Sequence, residues 1–326
     1  MADSIKIGSL DISSFKVGSS DCSIYLGDTL LYSGGTTPPT PPTPTFDGKW
    51  LATYAGGTTS SAECDSSSAI TNSEIILTDL ASVEIGDCVT SIGELAFYQC
   101  STLTSCTIGN SVTSIDTGAF SECSGLTSIT IGSGLTSIGG SAFYYCIGLT
   151  SINIPNSVTS IEENAFWGCS GLISIGGNGS GASVEIPSGV TSISDQTFQY
   201  CSGLINVAIP DTVTSIGKWA FQYCSGITSV IIGSGVTSIG QYAFYRCSSM
   251  TTCTIGSGVT SIGDYAFRYC SGLTSITIEA TTPPTLASTV FGSTNNCPIY
   301  VPSESVSAYQ SAWSTYASRI QAIPNS

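Results

Sequence analysis

From about residue 83 the chain repeats one phrase of apolar and polar positions. "SVTSIDTGAFSECSGLTSITIG" (Ser111 to Gly132) returns, slightly altered, from Gly134, Ser157, Gly189, Thr212, Gly235 and Gly258. Aligned on Phe97, Phe120, Phe143, Phe166, Phe198, Phe221, Phe244, Phe267 and Phe291, the steps are 23, 23, 23, 32, 23, 23, 23 and 24 residues. One Gly-rich insertion, "GGNGSGASV" (Gly176 to Val184), breaks the period and reads as a loop bulging from one repeat.

Within a unit, "LTSITI" alternates at its end (Ile129, Ile131), which predicts a short half-buried strand. "VTSI" predicts a second, and the Gly-Ser-Gly, Pro-Asn-Ser or Pro-Asp-Thr between them is turn chemistry. "AFxxC" sets Phe120 and Cys123 at i, i+3, which predicts a single helical turn. Each unit buries about eight side chains and cannot stand alone, so stacked copies must share one continuous core. The predicted fold is a repeat solenoid, mainly β with one short helical turn per coil, of about eight to nine coils.

The units resemble the BspA-like leucine-rich repeats of bacterial surface proteins. The residues that carry the resemblance are "VTSIGKWAFQYCSGITSVIIG" (Val213 to Gly233) and its sisters, over about Val83 to Ile278. "TTPPTLASTVFGSTNNCPIYVPSESVSAYQSAWSTYASRIQAI" resembles the closing segment of such proteins, with a degenerate ninth unit and a short helix near Ser305 to Ile320. The expected organisation is thus a solenoid over 81–280, a C-terminal cap over 281–326 and an N-terminal cap over 46–80. Before them "TTPPTPPTPTF" makes 36–45 a stiff Pro-rich linker. Residues 1–35 read as short strands joined by Gly-Ser turns. A piece this small docks on a partner or forms a homo-oligomer. With its "LGDTLLY" ending it resembles the anchoring segments of phage virion proteins.

Charge narrows the partners. Only 9% of residues are charged, and 7 basic residues against 22 acidic ones leave a net charge of −15. That balance excludes a nucleic-acid ligand, which needs a basic stripe. No run approaches the length of a membrane span, so membrane insertion is not expected. "MADSIKIGSLDISSF" lacks a basic n-region followed by an apolar h-region, which favours release by lysis.

Catalysis is not expected. Histidine is absent, which removes the commonest general base and metal ligand. The scattered carboxylates, Glu122, Glu162, Glu163, Asp116, Asp195 and Asp264, leave a glycan-acting enzyme only as a remote alternative. No cofactor or metal is expected. Cys100, Cys123, Cys146, Cys169, Cys201, Cys224, Cys247 and Cys270 each follow a ladder phenylalanine by three, with no C-x-x-C pairs for zinc. They read as a reduced packing ladder, with disulfides between adjacent coils as the alternative. Cys106 and Cys253 read as core substitutions, whereas Cys22, Cys64, Cys88 and Cys297 lie off the ladder without an assigned role.

The positions that vary are the candidates for recognition. Stacking sets Tyr98, Tyr144, Tyr145, Trp167, Tyr200, Trp219, Tyr223, Tyr242, Tyr245, Tyr265 and Tyr269 in a row on the turn side. Such a row suits sugar faces or protein partners, against the favoured reading that the tyrosines merely shield the coil edge with their hydroxyls in water. On the strand side the Thr and Ser of "TSIT" form a hydroxyl array that could also meet a ligand. The leading expectation is a phage virion fibre or decoration protein, attached through 1–35 and binding bacterial surface glycans or proteins through the solenoid. The alternative is a bacterial cell-surface adhesin of the BspA-like kind, binding host proteins or other bacteria.

Overall fold

The threonine before each Ser-Ile pair explains how one coil finds the next. Thr113 donates from both its N–H (2.8 Å) and its Oγ1 (3.1 Å) to the carbonyl of Thr90, one coil earlier. Thr136 does the same to Thr113, and Thr127 to Thr104. The strand-side hydroxyls at these positions are therefore committed to the backbone of the preceding coil. Isoleucine follows as the inward residue, and the short strands run parallel in register: Ser91 and Ile92 pair with Ser114 and Ile115, which pair in turn with Ser137 and Ile138. The second strand of each coil stacks likewise, as Ser105–Ile108 on Ser128–Ile131. At the turn between the two strands the coils approach so closely that a Cβ on Gly235 would strike the Asp211 carbonyl of the coil before.

The computed structural model describes residues 48–64, 69–71, 74–75, 77–176 and 183–324, together with the backbone of five short strands within 5–32. The chain divides into two compact units, Met1–Thr45 and Phe46–Ser326. In the first, Ile5–Ile7 pairs antiparallel with Leu10–Ile12, and Phe15–Val17, Ile24–Leu26 and Thr29–Tyr32 form an antiparallel sheet. The Pro-rich linker 36–45 and Cys22 lie outside the described residues.

The second unit is the solenoid. Its interior is a column of nine phenylalanine rings, each buried, with neighbouring centroids 4.9–5.6 Å apart and planes within 2–22°. The stack runs to about eleven turns, because both caps add rungs to those counted on the phenylalanines. At the front, Trp50–Tyr54 pairs antiparallel with Thr59–Ala62 on one side and Leu80–Ile85 on the other, covering the open edge. A disulfide between Cys64 and Cys88 (Cα–Cα 6.0 Å) fastens this cap, and buried Lys49 pairs with Glu74 at 3.0 Å. At the back, the helix Val306–Ala312 carries Tyr309, whose hydroxyl donates to the Ala280 carbonyl at 2.8 Å, and Trp313 follows it to pack on Phe291.

Two sequence expectations change. The "AFxxC" segment is not a helical turn. It closes as overlapping i→i+3 turns, Gly93–Ala96, Leu95–Tyr98 and Phe97–Cys100 in the first full coil. Leu95 (φ 56°) and Gln99 (φ 61°) stand in the left-handed region, which a helical turn does not contain. The insertion is also more than a bulging loop. Its end, Ser183–Glu185, joins the second-strand sheet between Ser174–Ile175 and Asn206–Ile209, with Val184 fully buried. The turn side gains no matching rung: Phe166 and Phe198 remain 5.5 Å apart. Residues 177–182 of that expected loop lie outside the described residues.

Candidate functional site

Each coil has two left-handed positions, two residues before and two after the ladder phenylalanine. At matching places the chain uses Gly118, Asn164 and Gly168, residue types that accept positive φ readily. Others carry rings, Tyr145, Tyr200, Trp219, Tyr223, Tyr242, Tyr265 and Tyr269, with φ between 55° and 64°, and the rest carry other side chains such as Leu95, Gln99, Glu122 and Arg246. Bulky side chains in this region are uncommon and strained. The turns are fixed from outside, since every coil lends three N–H groups to carbonyls of the next: Trp219, Phe221 and Tyr223 donate to Gln241, Ala243 and Tyr245.

Ten of the eleven expected aromatic residues come together. Tyr144 stacks on Trp167 (4.7 Å), and Tyr145 leans on the same indole (5.1 Å). Trp167 meets Tyr200 edge-on (5.0 Å), and Tyr200 stacks on Tyr223 (4.8 Å). Tyr223 touches Tyr245, which touches Tyr242 and Tyr269. Tyr242 is flanked by Trp219 (6.3 Å) and Tyr265 (5.0 Å). Tyr98 stands apart, donating to Glu122 at 3.4 Å across a coil whose own position is Ser121. Many of the rings stack on one another along the solenoid axis. They offer less free ring face than a row of separate rings would.

Polar groups brace the row. Trp167 donates from Nε1 to Gln199 Oε1 at 2.6 Å, and Gln199 donates in turn to Gln222. Burial, with neighbouring groups adding to it, pushes the Tyr144 and Tyr200 phenols above their ordinary value, so they are neutral donors at physiological pH. Arg246 lies over the rings of Tyr223, Tyr245 and Tyr269 at 5.0–5.7 Å. Arg268 lies over Tyr265 and Tyr269 at 5.1 and 4.7 Å. Toward the other end an open depression is lined by Gln99, Ser101, Glu122, Ser124, Tyr144 and Tyr145.

The cysteine ladder carries packing. Cys123, Cys146, Cys169, Cys201, Cys224, Cys247 and Cys270 each donate from Sγ to the carbonyl of the previous coil's phenylalanine at 3.0–3.3 Å. All eight ladder thiols, with Cys106, Cys253 and Cys297, are free and buried. Burial pushes Cys146 up to about 12 and Cys169, Cys201 and Cys247 well above the usual thiol range, which leaves them protonated and poor nucleophiles. Among the described residues no group of three or more Cys, Asp or Glu could hold a metal ion. The carboxylates are occupied locally: Glu162 accepts the Gly140 N–H at 3.0 Å, and Asp195 the Lys218 N–H at 2.7 Å.

Three features escaped the sequence. The Cys64–Cys88 pair had a faint signal, two off-ladder cysteines close to the first coil. The guanidiniums belong with the rings, at positions of the repeat that were singled out only for their aromatics. The left-handed backbone had a thin signal, Gly118, Asn164 and Gly168 at its positions, masked in other coils by tyrosine and tryptophan, which do not announce it.

A family model described as a BspA type leucine rich repeat region, in six copies, matches residues 70–175 and 177–308. This chain belongs to that family. No curated protein matches it. Among solved structures, a leucine-rich-repeat protein of T. pallidum is similar to this BspA-type chain at 24% identity and TM-score 0.44, over 53% of this chain and 85% of that one. A leucine-rich cell surface protein of Faecalibacterium prausnitzii is similar at 24% identity and TM-score 0.36, over 96% and 98%. The pneumococcal vaccine antigen PcpA is similar at 16% identity and TM-score 0.35, over 95% and 97%.

Proposed function

We propose that this BspA-type protein is a non-catalytic recognition protein of a bacterial cell surface, whose solenoid binds glycans or proteins through its ring row. The observation that carries the reading is the unbroken network from Tyr144 to Tyr269, half-buried to exposed, in which Tyr145, Tyr200, Tyr223 and Tyr269 stand on backbone that would be less strained with glycine. Gly118, Asn164 and Gly168 show that less strained residues fit these positions, which favours a use for the rings placed there. The Cys64–Cys88 disulfide supports a location outside the reducing cytosol.

The expected virion anchor at 1–35 rests on its sequence resemblance alone, since the family match begins at residue 70. The cell surface is therefore the carrier proposed. Flow cytometry of labelled protein on bacterial and host cells tests the binding. The triple variant Trp167→Ala, Tyr200→Ala, Tyr223→Ala should lose it while keeping its far-UV circular dichroism. Undiminished binding would assign the row to structure. Antibody labelling of intact producing cells tests the location, and signal confined to purified phage particles would restore the virion reading.

A further inference from the structure

Basic residues are scarce, 7 in 326, yet three of them, Lys218, Arg246 and Arg268, stand on the ring side of three successive coils. The other two in the solenoid unit are engaged elsewhere: Lys49 pairs with Glu74, and Arg319 donates to the Cys297 carbonyl in the cap at 2.8 Å. Neither Arg246 nor Arg268 makes an ion pair among the described residues. Arg268 gives one hydrogen bond, to the Tyr269 hydroxyl at 3.2 Å, and its buried Nε has no acceptor at all. Asp264, in the same coil as Arg268, accepts the Ser288 N–H at 2.6 Å and pairs with neither guanidinium. Two guanidiniums held over rings without an ion pair form a local cationic patch on an otherwise acidic protein, and such a patch selects an anion.

The form of that anion follows from the surface. Arg246 and Arg268 belong to adjacent coils whose core rings are 5.2 Å apart, and Tyr223, Tyr245, Tyr265 and Tyr269 extend the same surface over three successive coils. An extended surface of charges and rings is matched by an extended polymer, whose units meet successive coils. Guanidinium forks recognise carboxylates with two parallel hydrogen bonds, and phenol-edged rings suit pyranoses. We propose that the Arg246–Arg268 end of the row binds a linear acidic polysaccharide, with carboxylates on the guanidiniums and sugar rings against the tyrosines. This rests on the ring-row reading above and names its ligand class.

The full chain is tested by biolayer interferometry on immobilised polygalacturonate, neutral dextran and poly-L-glutamate. Polygalacturonate should be held more tightly than either of the others, and the binding should weaken with added salt. Arg246→Ala with Arg268→Ala should weaken it about tenfold or more, and the double lysine variant should fall between. Ile231→Ala, exposed on a second strand and outside the ring row, should leave it unchanged. Unaltered thermal midpoints show that the variants fold. Equal binding of dextran, indifference to the arginine changes, or no binding of polygalacturonate overturns the proposal. Equal binding of poly-L-glutamate overturns the polysaccharide and leaves an acidic protein. In each of these cases the ring-row reading stands or falls separately, on the cell-binding loss in the Trp167, Tyr200 and Tyr223 variant.

Discussion

Tyr200 sits at φ 64° with its ring stacked on Tyr223, so two effects oppose each other at one residue. Left-handed backbone costs a residue with a Cβ roughly 1–2 kcal/mol. A ring pair returns about 0.5–1.5 kcal/mol. Tyr200→Gly should therefore leave stability within about 1 kcal/mol of the parent in urea denaturation, while cell binding falls. A large loss of stability with binding intact would mark the tyrosine as scaffold. The ladder thiols make a different prediction. A thiol whose folded pKa lies above its unfolded value binds its proton more tightly when folded, so its stabilisation is complete below the unfolded pKa and drains away as pH rises. For Cys146 the window runs from 9.0 to about 12. Midpoints of unfolding should hold up to about pH 9 and then decline, and native protein should resist iodoacetamide at pH 8. That the cysteines are packing was legible, because each follows its phenylalanine by three in a phrase with no histidine. The Cys64–Cys88 bond was not, because its two halves belong to different words of the chain.

At the scale of the element, the strands were legible because their requirement is written in side chains: isoleucine inward, threonine to clasp the preceding coil. The turn was not, because apolar residues at i and i+3 satisfy a helical turn and a chain of left-handed turns equally well. Only the bonds to the next coil, as from Phe97 to Ala119 at 2.7 Å, choose between them. The extra strand at Ser183–Glu185 was hidden by the glycines before it, which dominate the composition of the insertion. The front cap makes its own prediction. Its disulfide closes a separation of 24 residues, and removing it should cost about 2–4 kcal/mol. Cys64→Ala with Cys88→Ala should speed amide exchange in Trp50–Tyr54 and Leu80–Ile85 first. Exchange that rises evenly along the solenoid would mean that the cap is held by its strand pairing alone.

Across the whole molecule the three walls of the solenoid are not equally continuous. The wall of second strands is interrupted between Ser128–Ile131 and Ser151–Ile152, and the wall of short strands between Ser160–Ile161 and Ser192–Ile193. At the second gap the Ser194 hydroxyl reaches the Ile161 carbonyl at 2.7 Å where a backbone pair would otherwise stand. The turn wall has no such gap: its bonds to the following coil run from Leu95 to Tyr269 without a break, across the insertion, where Asn164, Phe166 and Gly168 donate to Asp195, Thr197 and Gln199. In mechanical terms the turn wall is a backing strip, and the strand walls are slats cut at staggered places on it. Bending concentrates at the cuts, on the side away from the rings. The strip beneath Tyr145, Trp167 and Tyr200 then keeps its length, and the proposed ligand, lying along it, would stay in contact while the rods on either side change their angle.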